Sequence, residues 1–345
     1  LDSLLKLSIH SFFPITFTMH VTTVVLLAAA TLTSAQATFQ RSSKRGLVFV
    51  PSDSHPTDNQ IWVEGNSDLT WYYNYQVSPS PAYSNRTQEQ FEFVPMLWSP
   101  NNNFLSSVKS MISGGRNISH IMTYNEPDGT SETGGSNVDP SVAATNWISQ
   151  VEPLRKLGVK TGAPAVTGSP SGFTWLSMFF DACASQGTNC TADFFPIHWY
   201  GNFEGLASHM GQVAGTYVLS LPLNYQFTLI TINRYPNRSI WITEYALNND
   251  TLTNTQSFFN SSAEYFDRIS YVDRYSYFGA FRSDVSNVGP NAAMLTSNGK
   301  LTDIGSWYLG GAATNNIPSA TGFGVRVVPG IGAIAAALVA GLCVL

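Results

Sequence analysis

A chain of 345 residues, 11 % of them charged and 13 % aromatic, has the composition of a globular protein and is long enough for one large domain or two small ones. Its formal charge of -5, from 17 Lys and Arg against 22 Asp and Glu, comes without a basic cluster, which excludes nucleic acid as an expected partner. Abundant Tyr, Trp and Asn suit neutral, hydroxyl-bearing ligands instead.

Residues 1–18 contain no Met and read as a gene-model extension ahead of Met19, the alternative being a long leader. The apolar run 21–32 and the small residues Ala35-Gln36-Ala37 make 19–37 a secretory signal peptide. Lys44-Arg45 is a dibasic pair, so 38–45 is expected to be a short pro-segment, the alternative being two adjacent basic residues without a processing role.

Eight strand-like runs follow, at 46–50, 69–75, 91–97, 120–125, 159–163, 193–199, 239–243 and 271–278, with separations long enough to return over a sheet. Eight such units within 46–312 predict an α/β chain folded as one (β/α)₈ TIM barrel, whose usual size is about 250 residues. Between the fourth and fifth runs, Asp139-Pro140 caps a helix in which Ala144, Trp147, Ile148 and Val151 share a face. Pro153 is expected to break that helix and Gly158 to close it. A second amphipathic helix is expected over 173–184.

Cys183 and Cys190 are expected to form one disulfide in an exported protein, two free thiols being the alternative. Sequons at Asn85, Asn117, Asn237, Asn249 and Asn260 are expected to carry glycans; a sixth, at Asn189, lies beside the cysteine loop. Residues 327–345 are apolar and follow small and polar residues, so 313–345 reads as a GPI-anchor signal with attachment at Asn315 or a close neighbour. A permanent apolar membrane anchor is the alternative. Either end-state puts the protein in the cell wall or on the outer face of the plasma membrane.

Two glutamates carry the chemistry. Glu126 ends the run at 120–125 and Glu244 the run at 239–243, where a carboxylate is poorly solvated and rigidly held. Cleavage of a glycosidic bond needs such a pair, one to protonate the leaving oxygen and one to attack or to activate water. His198 and Tyr200 end the sixth run and are placed either to orient Glu244 or to bind a sugar hydroxyl, a barrel-filling His being the alternative. Trp71, Tyr73, Trp98, Trp199 and Tyr277 are candidate stacking platforms, Trp98 and Tyr200 foremost.

Asn125-Glu126-Pro127-Asp128 and Trp241-Ile242-Thr243-Glu244-Tyr245-Ala246 resemble the two signature strands of glycoside hydrolase family 128. Lys44-Arg45-Gly46-Leu47, Phe93-Val94-Pro95-Met96-Leu97-Trp98, Pro153-Leu154 with Gly158, and His198-Trp199-Tyr200-Gly201 fall in the same order, over roughly residues 44 to 309. The resemblance implies Glu126 as acid/base, Glu244 as nucleophile and Asn125 as a ligand of a sugar hydroxyl near the reacting carbon. It further implies a retaining endo-β-1,3-glucanase, with a non-catalytic β-1,3-glucan-binding wall protein as the alternative. Tyr75 and Tyr277 depart from the family, which leads one to expect tryptophan at both.

Other chemistries fit less well. Gly168-Ser169-Pro170-Ser171-Gly172 fails as a nucleophile elbow because its centre is Pro170. The glycine pattern from Gly330 lacks a following βαβ unit. His120, His198 and His209 lack metal-ligand spacing, so no metal or cofactor is expected, and β-glucan is the expected partner of a monomer.

Overall fold

A computed structural model describes residues 41–218 and 238–319. The expected extension, the signal peptide, the sequon Asn237 and the apolar tail lie outside them. Within them the chain is α/β. Nine strands arise from the eight runs: β1 (Gly46–Val48), β2 (Trp71–Tyr73), β3 (Glu92–Phe93), β4 (Met96–Leu97), β5 (His120–Asn125), β6 (Lys160–Ala165), β7 (Phe194–Tyr200), β8 (Ser239–Ala246) and β9 (Val272–Tyr277). The extra strand comes from Pro95, which has no N–H to give a ladder and divides the third run.

All strand pairs are parallel, in a three-stranded sheet ordered β1-β2-β3 and a six-stranded sheet ordered β4-β5-β6-β7-β8-β9. Backbone bonds join their margins. Val94 N donates to Tyr72 O at 2.9 Å, Met96 N to Gln76 O at 3.0 Å and Met122 N to Pro95 O at 2.9 Å, so the divided run serves both sheets. At the other margin Tyr275 N donates to Lys44 O at 2.9 Å, beside a parallel bridge between Arg45 and Tyr275.

Helices fill the connections: α1 (Asp58–Ile61), α2 (Phe104–Ser113), α3 (Pro140–Gln150), α4 (Glu152–Arg155), α5 (Pro170–Ser185), α6 (Phe203–Val213), α7 (Leu252–Arg268) and α8 (Asp303–Tyr308). Asp139 Oδ1 caps α3 by accepting from Ser141 N and Val142 N, and the helix breaks at Val151 because Pro153 cannot donate. Gly158, at φ +90°, turns the chain into β6. Among the described residues no helix is long and apolar enough to cross a membrane.

The core is unusually aromatic. Phe194 stacks on Trp241 with ring centroids 3.8 Å apart, and Trp71 lies 5.3 Å from Trp241. Gly46 makes room for that packing, since a Cβ there would lie 2.1 Å from the Trp71 ring.

The expected pro-segment is corrected by its own contacts. Arg45 is wholly buried and donates to Tyr275 Oη, Asp68 Oδ2 and the Trp307 and Tyr308 carbonyls. Lys44 Nζ donates to the carbonyls of Phe266, Asp267 and Ile269 at the end of α7. Cleavage after Arg45 would strip out the cation that balances Asp68, so the dibasic pair belongs to the folded domain. Arg45→Met is expected to lower stability by about 3–5 kcal/mol, because Asp68 loses its buried cation and keeps only the exposed Arg41 as a counter-charge. Thermal unfolding is the check, and an unchanged midpoint would remove this network as a stabilising element. The C-terminal boundary also moves. Thr314 N and Asn315 N both donate to Asp303 Oδ1 at 2.7 Å, and Ser283 Oγ donates to Ser319 O, so the packed chain continues past residue 312.

Candidate active site

The carboxyl ends of parallel strands gather loops, and a cavity of 610 Å³ opens there. Glu126 stands just past β5. Its backbone is left-handed at φ +41°, held by Glu126 N donating to Ala165 O at 2.7 Å and Gly129 N donating back to Glu126 O at 2.8 Å. Gly135 permits the turn, since a Cβ there would meet Glu126 O at 2.6 Å. Asp128 ties this loop to the one after β6 by accepting from Thr167 N at 2.9 Å and from Thr167 Oγ1. The neighbouring Asn125 gives its Nδ2 to Gly134 O, and its Oδ1 is buried without a partner in the cavity wall.

Glu244 lies inside β8, which runs three residues further than the sequence pattern indicates. Its side chain is 6 % exposed. Tyr75 Oη donates to Glu244 Oε1 at 2.7 Å, and Tyr200 Oη donates to Oε2 at 2.5 Å. Tyr73 Oη reaches Oε1 at 3.4 Å while donating to Thr243 O at 3.0 Å. A register shift between Ile197 and His198 sets His198 opposite Glu244 on β7 and β8. His198 Nδ1 is thereby 2.9 Å from Glu126 Oε1 and 3.5 Å from Glu244 Oε2.

Burial pushes the Glu244 carboxyl above its ordinary range, against the charge of His198 and with the help of Glu126. Burial alone would lower the His198 pKa, but the charges of Glu244 and Glu126 outweigh it and raise it above the ordinary value. Burial followed by the Glu244 charge lifts Tyr75 and Tyr200 well above 10, which keeps both phenols as donors.

Glu126, Glu244, Asn125, Trp98, His198 and Tyr200 therefore line one cavity, as their positions at strand ends imply. Trp71 and Tyr277 do not, and both are corrected as ligand-wall residues. Trp71 is 1 % exposed, wedged between Gly46, Tyr73 and Trp241 with the Arg274 guanidinium 5.5 Å away. Tyr277 is fully buried among Tyr245, Phe259 and Tyr308. Strand alternation explains the second error: the residue after Tyr277 has the opposite face, and Phe278 lines the cavity. Sequence reasoning also passed over Asn248 and Asn287, whose loops meet where Asn249 N donates to Val288 O. No local signal marks them.

Glu126, His198 and Glu244 each bring a possible metal-ligand atom within 4.8 Å of the others. Chain spacing hides this cluster because three strands contribute to it. Cys183, in the last turn of α5, and Cys190, in the loop beyond it, form the expected disulfide. Asn85, Asn117, Asn189 and Asn249 are exposed. Asn260 is corrected as a glycan site: it lies within α7 with its Oδ1 buried, and the sequon partner Ser262 is fully buried.

The family profile described as glycosyl hydrolase catalytic core matches residues 46–308. Alkali-sensitive linkage protein 1 of Schizosaccharomyces pombe is 31% identical over 278 residues, which are 78% of this chain and 44% of that protein. The chain thus spans less than half the length of this relative. Three solved structures show the same fold. A curdlan-specific exo-β-1,3-glucanase of Blastomyces gilchristii, with glucose bound, is 23% identical, covers 78% of this chain and 99% of its own, and has a TM-score of 0.57. An endo-β-1,3-glucanase of Lentinula edodes is 24% identical, covers 77% and 99%, and scores 0.58. An oligosaccharide-binding protein of Trichoderma gamsii is 20% identical, covers 79% and 94%, and scores 0.55. Signature strands, profile and curated relative agree, and the chain belongs to glycoside hydrolase family 128, the glycosyl hydrolase catalytic core family.

Proposed function

We propose that this protein is a retaining endo-β-1,3-glucanase whose nucleophile is Glu244 and whose acid/base is Glu126. One observation carries the mechanism: an oxygen of each carboxyl group and a nitrogen of His198 all lie within 4.8 Å of one another at the cavity. Retaining enzymes hold their acids about 5–5.5 Å apart, whereas inverting ones need about 6.5–9.5 Å to admit a water. In the first step a Glu244 oxygen attacks the anomeric carbon while Glu126 protonates the departing oxygen. In the second, Glu126 takes a proton from water, whose oxygen displaces Glu244 with net retention. His198, bonded to Glu126 and near Glu244, orients the pair through this exchange. Asn125, with a free buried Oδ1, accepts from a sugar hydroxyl.

The two sheets are read as arcs of one (β/α)₈ barrel. Support comes from the backbone bonds at both margins and from the parallel order that runs through all nine strands. Endo action is supported by a cavity whose wall extends beyond the acids to Trp98, Asn101, Asn248 and Asn287. Preference for β-1,3-glucan rests on the relatives. Export to the wall or outer membrane face is supported by the leader-like segment, the disulfide and the exposed sequons. GPI attachment at Asn315 or a close neighbour is supported by the small and polar residues that precede the apolar run 327–345.

Laminari-oligosaccharides test the reading directly. Proton NMR of the first product is expected to show the β-anomer, with mixed oligosaccharides rather than glucose alone. An initial α-anomer would sink the retaining mechanism. Affinity without product would favour a glucan-binding role, the role named for the Trichoderma gamsii relative.

A further inference from the structure

Among the described residues, the hydrogen-bond and ion-pair partners of the Glu244 carboxylate are three phenols and one imidazole, with no Arg or Lys. Tyr200 and His198 come from the body of strand β7. Tyr75 reaches Oε1 differently. It sits at φ +60°, a left-handed conformation that bulky L residues avoid unless surrounding structure holds them there. The holding groups are visible. Asn74 Oδ1 accepts from Gln76 N at 3.3 Å and Asn74 Nδ2 donates to Ser78 O at 3.1 Å, bracketing Tyr75 from both sides. Gln76 O in turn accepts from Met96 N, which fastens the turn to β4. The Tyr73 ring packs edge-on against Tyr75 with centroids 5.1 Å apart. A strained turn supported in this way has one evident product, a phenolic O–H fixed 2.7 Å from Glu244 Oε1.

We propose that Tyr75 is a positioning residue for the second half of the reaction, where it stabilises the charge returning to Glu244. The inference rests on the retaining mechanism proposed above. When Glu244 attacks, the bond between its oxygen and the anomeric carbon forms and the carboxylate loses charge, so a donor on it is worth less at the transition state than before. When water attacks, its proton passes to Glu126 and the bond from carbon to Glu244 breaks. The electron pair returns to the carboxylate, and the same donor is worth more at the transition state than in the ester. Only interactions that strengthen toward a transition state accelerate that step. Tyr75 therefore assists release from the enzyme and gives nothing to its formation.

Tyr75→Phe keeps the ring and removes the donor, and a dinitrophenyl β-laminaribioside separates the half-reactions because its leaving group needs no acid. The variant is expected to lose about 10- to 100-fold in kcat, while kcat/KM, which reports the first step, stays within about threefold. Stopped flow is expected to give a burst of dinitrophenolate near one equivalent, larger than in wild type. Asn74→Ala, which loosens the turn and leaves the phenol, gives the same split at smaller size. Equal falls in kcat and kcat/KM, or no change in either variant, would overturn the assignment. Glu244→Gln on the same substrate distinguishes the two levels. Full turnover there rejects the proposed nucleophile, whereas an inactive Glu244→Gln beside an unaltered Tyr75→Phe rejects the role of Tyr75 alone.

Discussion

Glu244→Gln is expected to lower kcat on laminari-oligosaccharides by about 10⁴-fold or more, with affinity for the oligosaccharide within about tenfold of wild type. The amide has nearly the same shape but is a far weaker nucleophile, and its NH₂ faces phenols that are themselves donors. Titration calorimetry and product chromatography on one preparation separate binding from turnover. In Glu244→Ala, azide is expected to fill the vacated position and give an α-glycosyl azide, because it attacks from the face that Glu244 occupied. Restored turnover with a β-azide would reassign the nucleophile. Stability is predicted to move the other way. Burial raises the Glu244 pKa in the folded protein, so the folded state binds this proton more tightly than the unfolded chain. The group's contribution is most favourable below its unfolded pKa and falls as pH rises through the folded value. At neutral pH the Gln variant is thus expected to unfold at the same or a higher temperature than wild type, a trade between function and stability.

Glu126→Ala is expected to lose about 10³- to 10⁴-fold on natural glucan, whose leaving alkoxide requires a proton. On a dinitrophenyl glycoside the first step should be nearly spared and the second slow, with azide raising turnover and giving a β-glycosyl azide. Comparable losses on both substrates would show that Glu126 is not the proton donor. The same variant probes His198. With one of its two carboxylate partners removed, the imidazole pKa should fall toward its ordinary value, since burial then opposes the charged form with less compensation. His198 contributes stability that is present below its unfolded pKa and lost as pH rises through its raised folded pKa. That alkaline loss should therefore begin at lower pH in Glu126→Ala than in wild type, and NMR titration of the His198 ring would register the shift.

Much of the site was legible before any coordinates. Asn125, Glu126, His198, Tyr200 and Glu244 each end or nearly end an apolar run, and in a parallel sheet such positions converge by topology, whatever their separation along the chain. The errors fall where that rule is too coarse. Trp71 and Tyr277 also lie on strands near the right height, yet the face of a strand residue depends on register, and both point into packing. Tyr75 stood out in the sequence only as a departure from tryptophan. Its bond to Glu244 depends on a left-handed backbone that no periodicity encodes. Lys44-Arg45 looked like a protease site because exposure cannot be read from two basic letters, whereas the folded chain uses Arg45 as a buried counterion.

The amino-acid order alone determined the α/β class, the positions of the strand-forming segments, the break at Pro153, the cysteine pair and the two acids. Each follows from a local property: apolar runs between turn residues, a missing N–H, or a carboxylate at the end of a hydrophobic stretch. Tertiary structure decided the rest. Which tyrosines grip Glu244, how His198 comes to touch both acids and which aromatics face the cavity depend on strand register and on bonds between segments far apart in the chain. A one-residue slip reverses every facing side chain, so these contacts exist only once the sheets have been assembled.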